Sequence, residues 1–317
     1  MKKILLMLAA VAMSAGIMSA QDLNSALELA NQGNDAYSAG SPELALEAFQ
    51  ASLKIAEGLG EEGAAHVETC KTAISNIYMA LAKNTYKEKN WDAAVEAFTK
   101  AKEVAEQYGN TAVAEEAAGL IVNSQTQKLI GLAAEAKQTK DAAGFTAAAN
   151  YYKQALDLDP SNGGIAVQLG QAYISLKNWA EAEAALNSAM ANGQEKNATK
   201  LLSQLYLKRC QESLKAGKNQ EALDFANKSN EYAPSANAYK LGASAATKMN
   251  NLNVAEEMYM KYIELSPNAK DAASIKLTLA ALYQKAGNKA KAIEFYSQIV
   301  NDPQHGATAK QQLATLK

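Results

Sequence analysis

The chain has little of what most active sites are built from. Its 317 residues include two histidines, His66 and His305, and two cysteines, Cys70 and Cys210. Ser-His-Asp and Cys-His chemistry therefore have few bases to draw on. His66 and Cys70 are four residues apart and would share one helix face, yet they supply two ligands where a closed zinc site takes four. There is no phosphate-cradling glycine loop. Gly163-Gly164 follows Ser161-Asn162 and suits a turn and a helix start. Arg209 is the single arginine, which argues against nucleic-acid recognition. Prolines number five, and runs of Val, Ile and Thr are scarce. These absences predict a protein that is not an enzyme, with no metal, no cofactor and no nucleic-acid partner.

Only the N-terminus holds an apolar run of note. Lys2 and Lys3 precede the apolar stretch Ile4 to Met13, and small residues follow up to Ser19-Ala20. That stretch is too short to span a bilayer and has the order of a secretory leader, here of bacterial type. Residues 1–20 are expected to be a signal peptide cut after Ala20, which places the protein in the periplasm or outside the cell. No later segment predicts a membrane span. An oxidising compartment permits a disulfide, but Cys70 and Cys210 fall three repeats apart in the organisation described next, so two buried free thiols are expected.

What the sequence has in quantity is Ala, Leu, Glu, Lys and Gln, the strong helix formers. An all-α chain follows. The stretch Ile165 to Met190 shows its plan. Leu169, Gly170 and Tyr173 lie on one side of the turn Lys177-Asn178-Trp179, and Ala182, Leu186 and Ala189 lie on the other. Two amphipathic helices joined by a short turn produce this spacing. The grid recurs. Ala45, Ala94, Ala148, Ala182, Ala222, Ala255 and Ala292 take the same place in seven successive second helices, and an aromatic or large apolar residue follows four positions later in most, as with Phe49, Phe98, Tyr152, Leu186, Tyr259 and Tyr296. The first hairpin turns at Gly40-Ser41-Pro42, with Ser41 as the expected cap and Pro42 at the first helical position. The second repeats Lys-Asn-Trp at Lys89-Asn90-Trp91, its first helix expected from near Glu61 to Lys89. The third turns near Lys137–Asp141. Ala307 to Leu316 reads as a capping helix.

This grid resembles the tetratricopeptide repeat (TPR), whose period is about 34 residues. The resemblance implies an α-solenoid of about seven TPR-like helical hairpins with a C-terminal capping helix. Residues 21–140 would hold N-terminal hairpins with long helices, and residues 141–317 the array and its cap. It also implies a non-catalytic scaffold or adaptor that binds other proteins. In the family, the first helix of each hairpin lines a concave groove that takes peptide segments. Carried onto this chain, the groove positions are Asn34 and Tyr37; Lys83, Tyr86 and Lys87; Gln171 and Ile174; Lys208, Gln211 and Lys215; and Lys248 and Lys285. An envelope assembly or secretion complex is the setting that an exported TPR protein suggests.

Charge offers an alternative. Residues 21–130 carry 8 basic and 16 acidic side chains, a net of −8, while residues 131–317 carry 21 and 17, a net of +4. Such asymmetry predicts either steering of a partner or head-to-tail association into a homo-oligomer.

Overall fold

The computed structural model describes residues 23–316, so the expected signal peptide lies outside the described residues. Among these residues the regular structure is entirely helical. The helices are α1 (Leu23–Ser38), α2 (Pro42–Gly58), α3 (Ala64–Lys87), α4 (Trp91–Gln107), α5 (Thr111–Ala136), α6 (Ala142–Leu158), α7 (Gly163–Leu176) and α8 (Trp179–Ala191). They continue as α9 (Glu195–Lys215), α10 (Asn219–Tyr232), α11 (Ala236–Lys248), α12 (Leu252–Leu265), α13 (Ala272–Lys285), α14 (Lys289–Gln298) and α15 (Gly306–Leu316). Short 3-10 turns, Gly60–Gly63 and Lys137–Thr139, precede α3 and α6.

The turns explain why the chain reverses where it does. Each of the seven links from a first to a second helix contains one residue of positive φ: Gly40, Lys89, Lys140, Lys177, Gly217, Asn250 and Gly287. A left-handed residue ends the helix and redirects the chain, after which the next residue or two cap the following helix. Asn90, Asn288 and, at the start of α7, Asn162 accept a backbone N–H from the first turn. Ser41 does not: its side chain makes no capping bond, although Pro42 stands at the helix start as expected. The first helix of the second hairpin is also shorter than its predicted span. Gly60 is left-handed at φ 57° and Lys89 at φ 59°, so regular helix is confined to Ala64–Lys87.

Within a hairpin the helices touch at a glycine or alanine of the first helix. A Cβ on Gly33 would lie 2.8 Å from the Phe49 ring, one on Gly170 2.6 Å from Leu186 Cγ, and one on Gly242 2.6 Å from Met258 Sδ. Each pair is sixteen residues apart, so the large residue of the second helix fills the notch left by the glycine. Ala82 and Phe98, with the same separation, share a core in the second hairpin.

The chain forms two compact units, one reaching Glu135 and taking in residues 157–159, the other comprising Ala136–Leu156 and Pro160 onward. In the first unit α1 pairs with α2 and α3 with α4, and α2 stacks on α3. Its cores centre on Phe49, Leu53, Cys70 and Ile74, and on Phe98, Ala101, Ala105 and Ala117, the last of these on α5. In the second unit α7 pairs with α8, α9 with α10, α11 with α12 and α13 with α14. Leu186, Leu202, Leu205 and Tyr206 form one core, Cys210, Ala226, Ala243 and Met258 another, and Leu279, Phe295 and Tyr296 a third. α15 closes that end, with Leu316 and Ala309 buried and Lys310 and Gln311 facing solvent. Both cysteines are buried free thiols. No described helix is long and apolar enough to cross a membrane.

Candidate binding surface

The expected groove residues have distinct fates. Asn34 and Tyr37 are exposed on α1. Lys83 and Tyr86 are half-exposed and paired with side chains of the first unit. Lys83 Nζ lies 2.6 Å from a Glu116 carboxylate oxygen on α5. The Tyr86 hydroxyl donates to Asn123 Oδ1 at 2.8 Å, and its ring meets Trp91 edge-on at 5.3 Å. Lys87, Lys215, Lys248 and Lys285 each stand exposed in the last turn of a first helix. There their charge faces the negative end of the helix dipole, which by itself accounts for lysine at these ends.

The structure brings four of the expected residues together. Ile174, Lys208, Gln211 and Lys215 line one cleft of about 170 Å³ between α7 and α9. Lys208, Gln211 and Lys215 recur on successive turns and so share a face of α9. Ile174 is buried at 6% exposure and contributes to the floor rather than to an open surface. Gln171 is exposed one turn earlier on α7. Trp179, at the start of α8, completes the cleft with Lys177 and Glu212. Lys177 Nζ is 2.6 Å from Glu212 Oε1. Three lysines thus surround one carboxylate, and the cleft is net basic.

Trp179 and Glu212 also border a second cleft, of about 220 Å³, together with Arg209 and Phe225. The Arg209 guanidinium lies 3.9 Å from the Phe225 ring centroid and 5.6 Å from that of Tyr206. This stacking uses the planar cation as packing material. Behind it the Tyr206 hydroxyl donates to Glu183 Oε1 at 2.6 Å. Burial and then the Glu183 hydrogen bond hold that phenol well above the usual tyrosine range. The next-but-one hairpin repeats the device, Tyr283 donating to Glu256 at 2.5 Å while Lys291 pairs with the same carboxylate at 2.6 Å.

One further polar cluster is internal. Ser52 Oγ lies 2.9 Å from His66 Nε2 and 3.4 Å from Cys70 Sγ, and it donates to the Ala26 carbonyl at 2.6 Å. The single serine proton is used by that carbonyl, so His66 Nε2–H is the donor to Ser52. Ser52 and Cys70 are fully buried, and burial raises the Cys70 thiol above its ordinary range. A buried, protonated thiol is inert, so the trio packs α1, α2 and α3 together rather than presenting a nucleophile.

Of the residues that line this cleft, the TPR resemblance pointed to Ile174, Lys208, Gln211 and Lys215 but not to Trp179, Lys177 or Glu212. Trp179 reads in sequence as part of a turn. The repetition of Lys-Asn-Trp in two hairpins was the available signal.

Profiles of the tetratricopeptide repeat family match residues 131–205 and 237–269. Those two stretches carry the tetratricopeptide repeat pattern. The first of these matches includes α7, α8 and the start of α9, and so one wall of the cleft. Among solved structures, a MamA protein is similar with 19% identity and a TM-score of 0.38, over 59% of this chain and 96% of that one. PilF of Pseudomonas aeruginosa is similar with 15% identity and a TM-score of 0.32, over 78% and 99% of the respective chains. YrrB, described as a TPR protein with an unusual peptide-binding site, shows 21% identity and a TM-score of 0.33, over 68% and 99%. At TM-scores of this size none of these likenesses bears on a ligand. No curated protein matches the chain. TPR hairpins are protein-interaction modules, and apart from residues 131–135 and 157–159 the matched stretches lie in the second unit.

Proposed function

We propose that the protein is an adaptor that binds an acidic peptide segment of another protein in the groove between α7 and α9. The supporting observation is the convergence of Lys208, Gln211 and Lys215 on one cleft beside Trp179. Elsewhere Lys83 and Tyr86 are paired with Glu116 and Asn123, Asn34 and Tyr37 stand exposed on α1, and Lys87, Lys248 and Lys285 stand as single lysines at helix ends. A concave, net basic site with an aromatic wall and a side-chain amide suits an acidic polypeptide better than a small metabolite. The secretory order of residues 1–20 supports a setting in the bacterial envelope.

A photo-crosslinking residue at Lys215 tests this in cells, with a control at Lys310 on the outer face of α15. The adaptor role predicts one or two envelope proteins captured from position 215 and lost when Lys208→Glu is added. Equal capture from both positions, or capture unaffected by Lys208→Glu, would refute it. The charge contrast between residues 21–130 and residues 131–317 supports a second reading, self-association of acidic against basic halves. It predicts oligomers that dissociate as salt rises, since screening weakens such contacts.

A further inference from the structure

The Lys-Asn-Trp turn occurs twice, and its two copies differ at one instructive position. The first copy reads Tyr86-Lys87-Glu88-Lys89-Asn90-Trp91 and the second Ile174-Ser175-Leu176-Lys177-Asn178-Trp179. Lys89 and Lys177 have nearly the same left-handed φ, 59° and 61°. A non-glycine residue in that region costs of order 1–2 kcal/mol, and the two turns share this conformation. In both copies the residue five before the tryptophan faces a side-chain amide 37 positions further on, in the next first helix. In the first copy these are Tyr86 and Asn123, joined by the 2.8 Å hydrogen bond. In the second they are Ile174 and Gln211, floor and wall of one cleft.

The first copy therefore shows what the space beside this tryptophan holds. The Tyr86 ring lies against Trp91 at 5.3 Å and 63°, and 6.1 Å from Phe98, with its hydroxyl on Asn123. Isoleucine lacks the outer half of that side chain. The space beside Trp179 is accordingly a cleft of about 170 Å³, with the Gln211 amide on its wall. That is smaller than the few hundred Å³ of a drug-sized ligand site and suits a single side chain. Lys208 and Lys215 flank it, both exposed.

We propose that the cleft is a tyrosine socket: it takes a tyrosine side chain from an acidic segment of a partner protein. The ring lies edge-on to Trp179, the hydroxyl bonds the Gln211 amide, and carboxylates beside the tyrosine meet Lys208 and Lys215. The first unit fills the corresponding space with its own phenol, and the second unit leaves it for one supplied in trans. This rests on the adaptor reading above and specifies its ligand.

The test uses the peptide acetyl-Glu-Glu-Tyr-Glu-Glu-amide, its Phe and Ala counterparts, and the full chain, by titration calorimetry at low salt. The tyrosine peptide should bind at least tenfold more tightly than the alanine peptide, with the phenylalanine peptide between them. Gln211→Ala should remove the difference between tyrosine and phenylalanine. Ile174→Tyr should fill the socket as Tyr86 does, abolishing binding while retaining the helical circular dichroism and the melting temperature. Equal binding of the tyrosine and alanine peptides, no binding of either, or full binding to a folded Ile174→Tyr protein would each overturn the proposal. Gln211→Ala keeps the test decisive should Ile174→Tyr not fold. Captures at Lys215 in cells together with no tyrosine preference would end the socket and leave the adaptor role standing. Tyr37, exposed on α1 two residues from Asp35, is a tyrosine of this chain that could reach a second copy. Self-association abolished by Tyr37→Ala would overturn a foreign partner as the source.

Discussion

Replacing Phe98 by alanine should unravel one unit and spare the other. Phe98 is fully buried on α4, packed among Ala94, Ala101 and Ala105 of its own helix, Ala82 of α3, and Val113 and Ala117 of α5. Its ring is also 6.1 Å from Tyr86. Removing a buried phenylalanine costs roughly 3–5 kcal/mol, being lost transfer energy plus the cavity left behind. Alanines dominate the buried surroundings and cannot reach into the hole, which leaves Met79 as the one long flexible side chain of that core and puts the loss at about 4 kcal/mol. In a repeat protein stability is carried by each hairpin and its neighbours rather than shared evenly. A loss of about 4 kcal/mol is close to three powers of ten in an opening equilibrium, at 1.4 kcal/mol for each factor of ten. Amide hydrogen exchange resolved by peptide should therefore accelerate by about a thousandfold in α3, α4 and the first half of α5 wherever protection is set by opening of this core. Helices α9 to α14 should keep their rates. Tyr152→Ala, at a side chain 2% exposed on α6, is the reciprocal perturbation in the second unit. Uniform acceleration across the chain after Phe98→Ala, or a single unchanged melting transition, would refute local cores as the source of stability.

Gly170→Ala should lower stability by roughly 1–2 kcal/mol, because the clash with Leu186 exceeds the helix propensity that alanine contributes; an unchanged or raised melting temperature would show that the hairpin contact yields. Lys140→Gly should raise stability by roughly 0.5–1 kcal/mol by relieving a left-handed lysine in an exposed turn, read as a shift in the urea midpoint. The Tyr206 and Tyr283 phenols are raised above their ordinary value by burial and by hydrogen bonds to Glu183 and Glu256. A raised folded-state pKa contributes stability that is whole below pH ~10 and declines as pH climbs beyond it. Melting temperature should therefore fall above that pH, and more steeply than in the Tyr206→Phe/Tyr283→Phe protein; equal slopes would dismiss these groups as the cause. Burial pushes the Cys210 thiol up to about 11. Its thiolate is then about one part in a thousand at pH 8, and labelling by an aromatic disulfide should wait on unfolding and track urea concentration.

Particular residues show what could be read in advance. The alanine positions Ala94, Ala182, Ala222 and Ala292 are all fully buried, as the close approach of paired helices demands. Helix periodicity is a local property of the chain, so the helices, the turn positions and the capping helix were legible. The burial of Ile174 and the internal pairing of Lys83 and Tyr86 were not. Those depend on which residue of the following first helix arrives opposite, and that depends on the length of the intervening helix. Ser52 joined His66 and Cys70 for the same reason: its partners lie fourteen and eighteen residues away on another helix.

By itself, then, the sequence determined an all-helical chain of paired helices, its turns, its buried alanines and its uneven charge, because each follows from spacing within a helix or from composition. Only the tertiary structure decided that one Lys-Asn-Trp turn is closed by Tyr86 while the other stays open beside Ile174. The difference arises where two helices meet, and the volume between them is set by both side chains together.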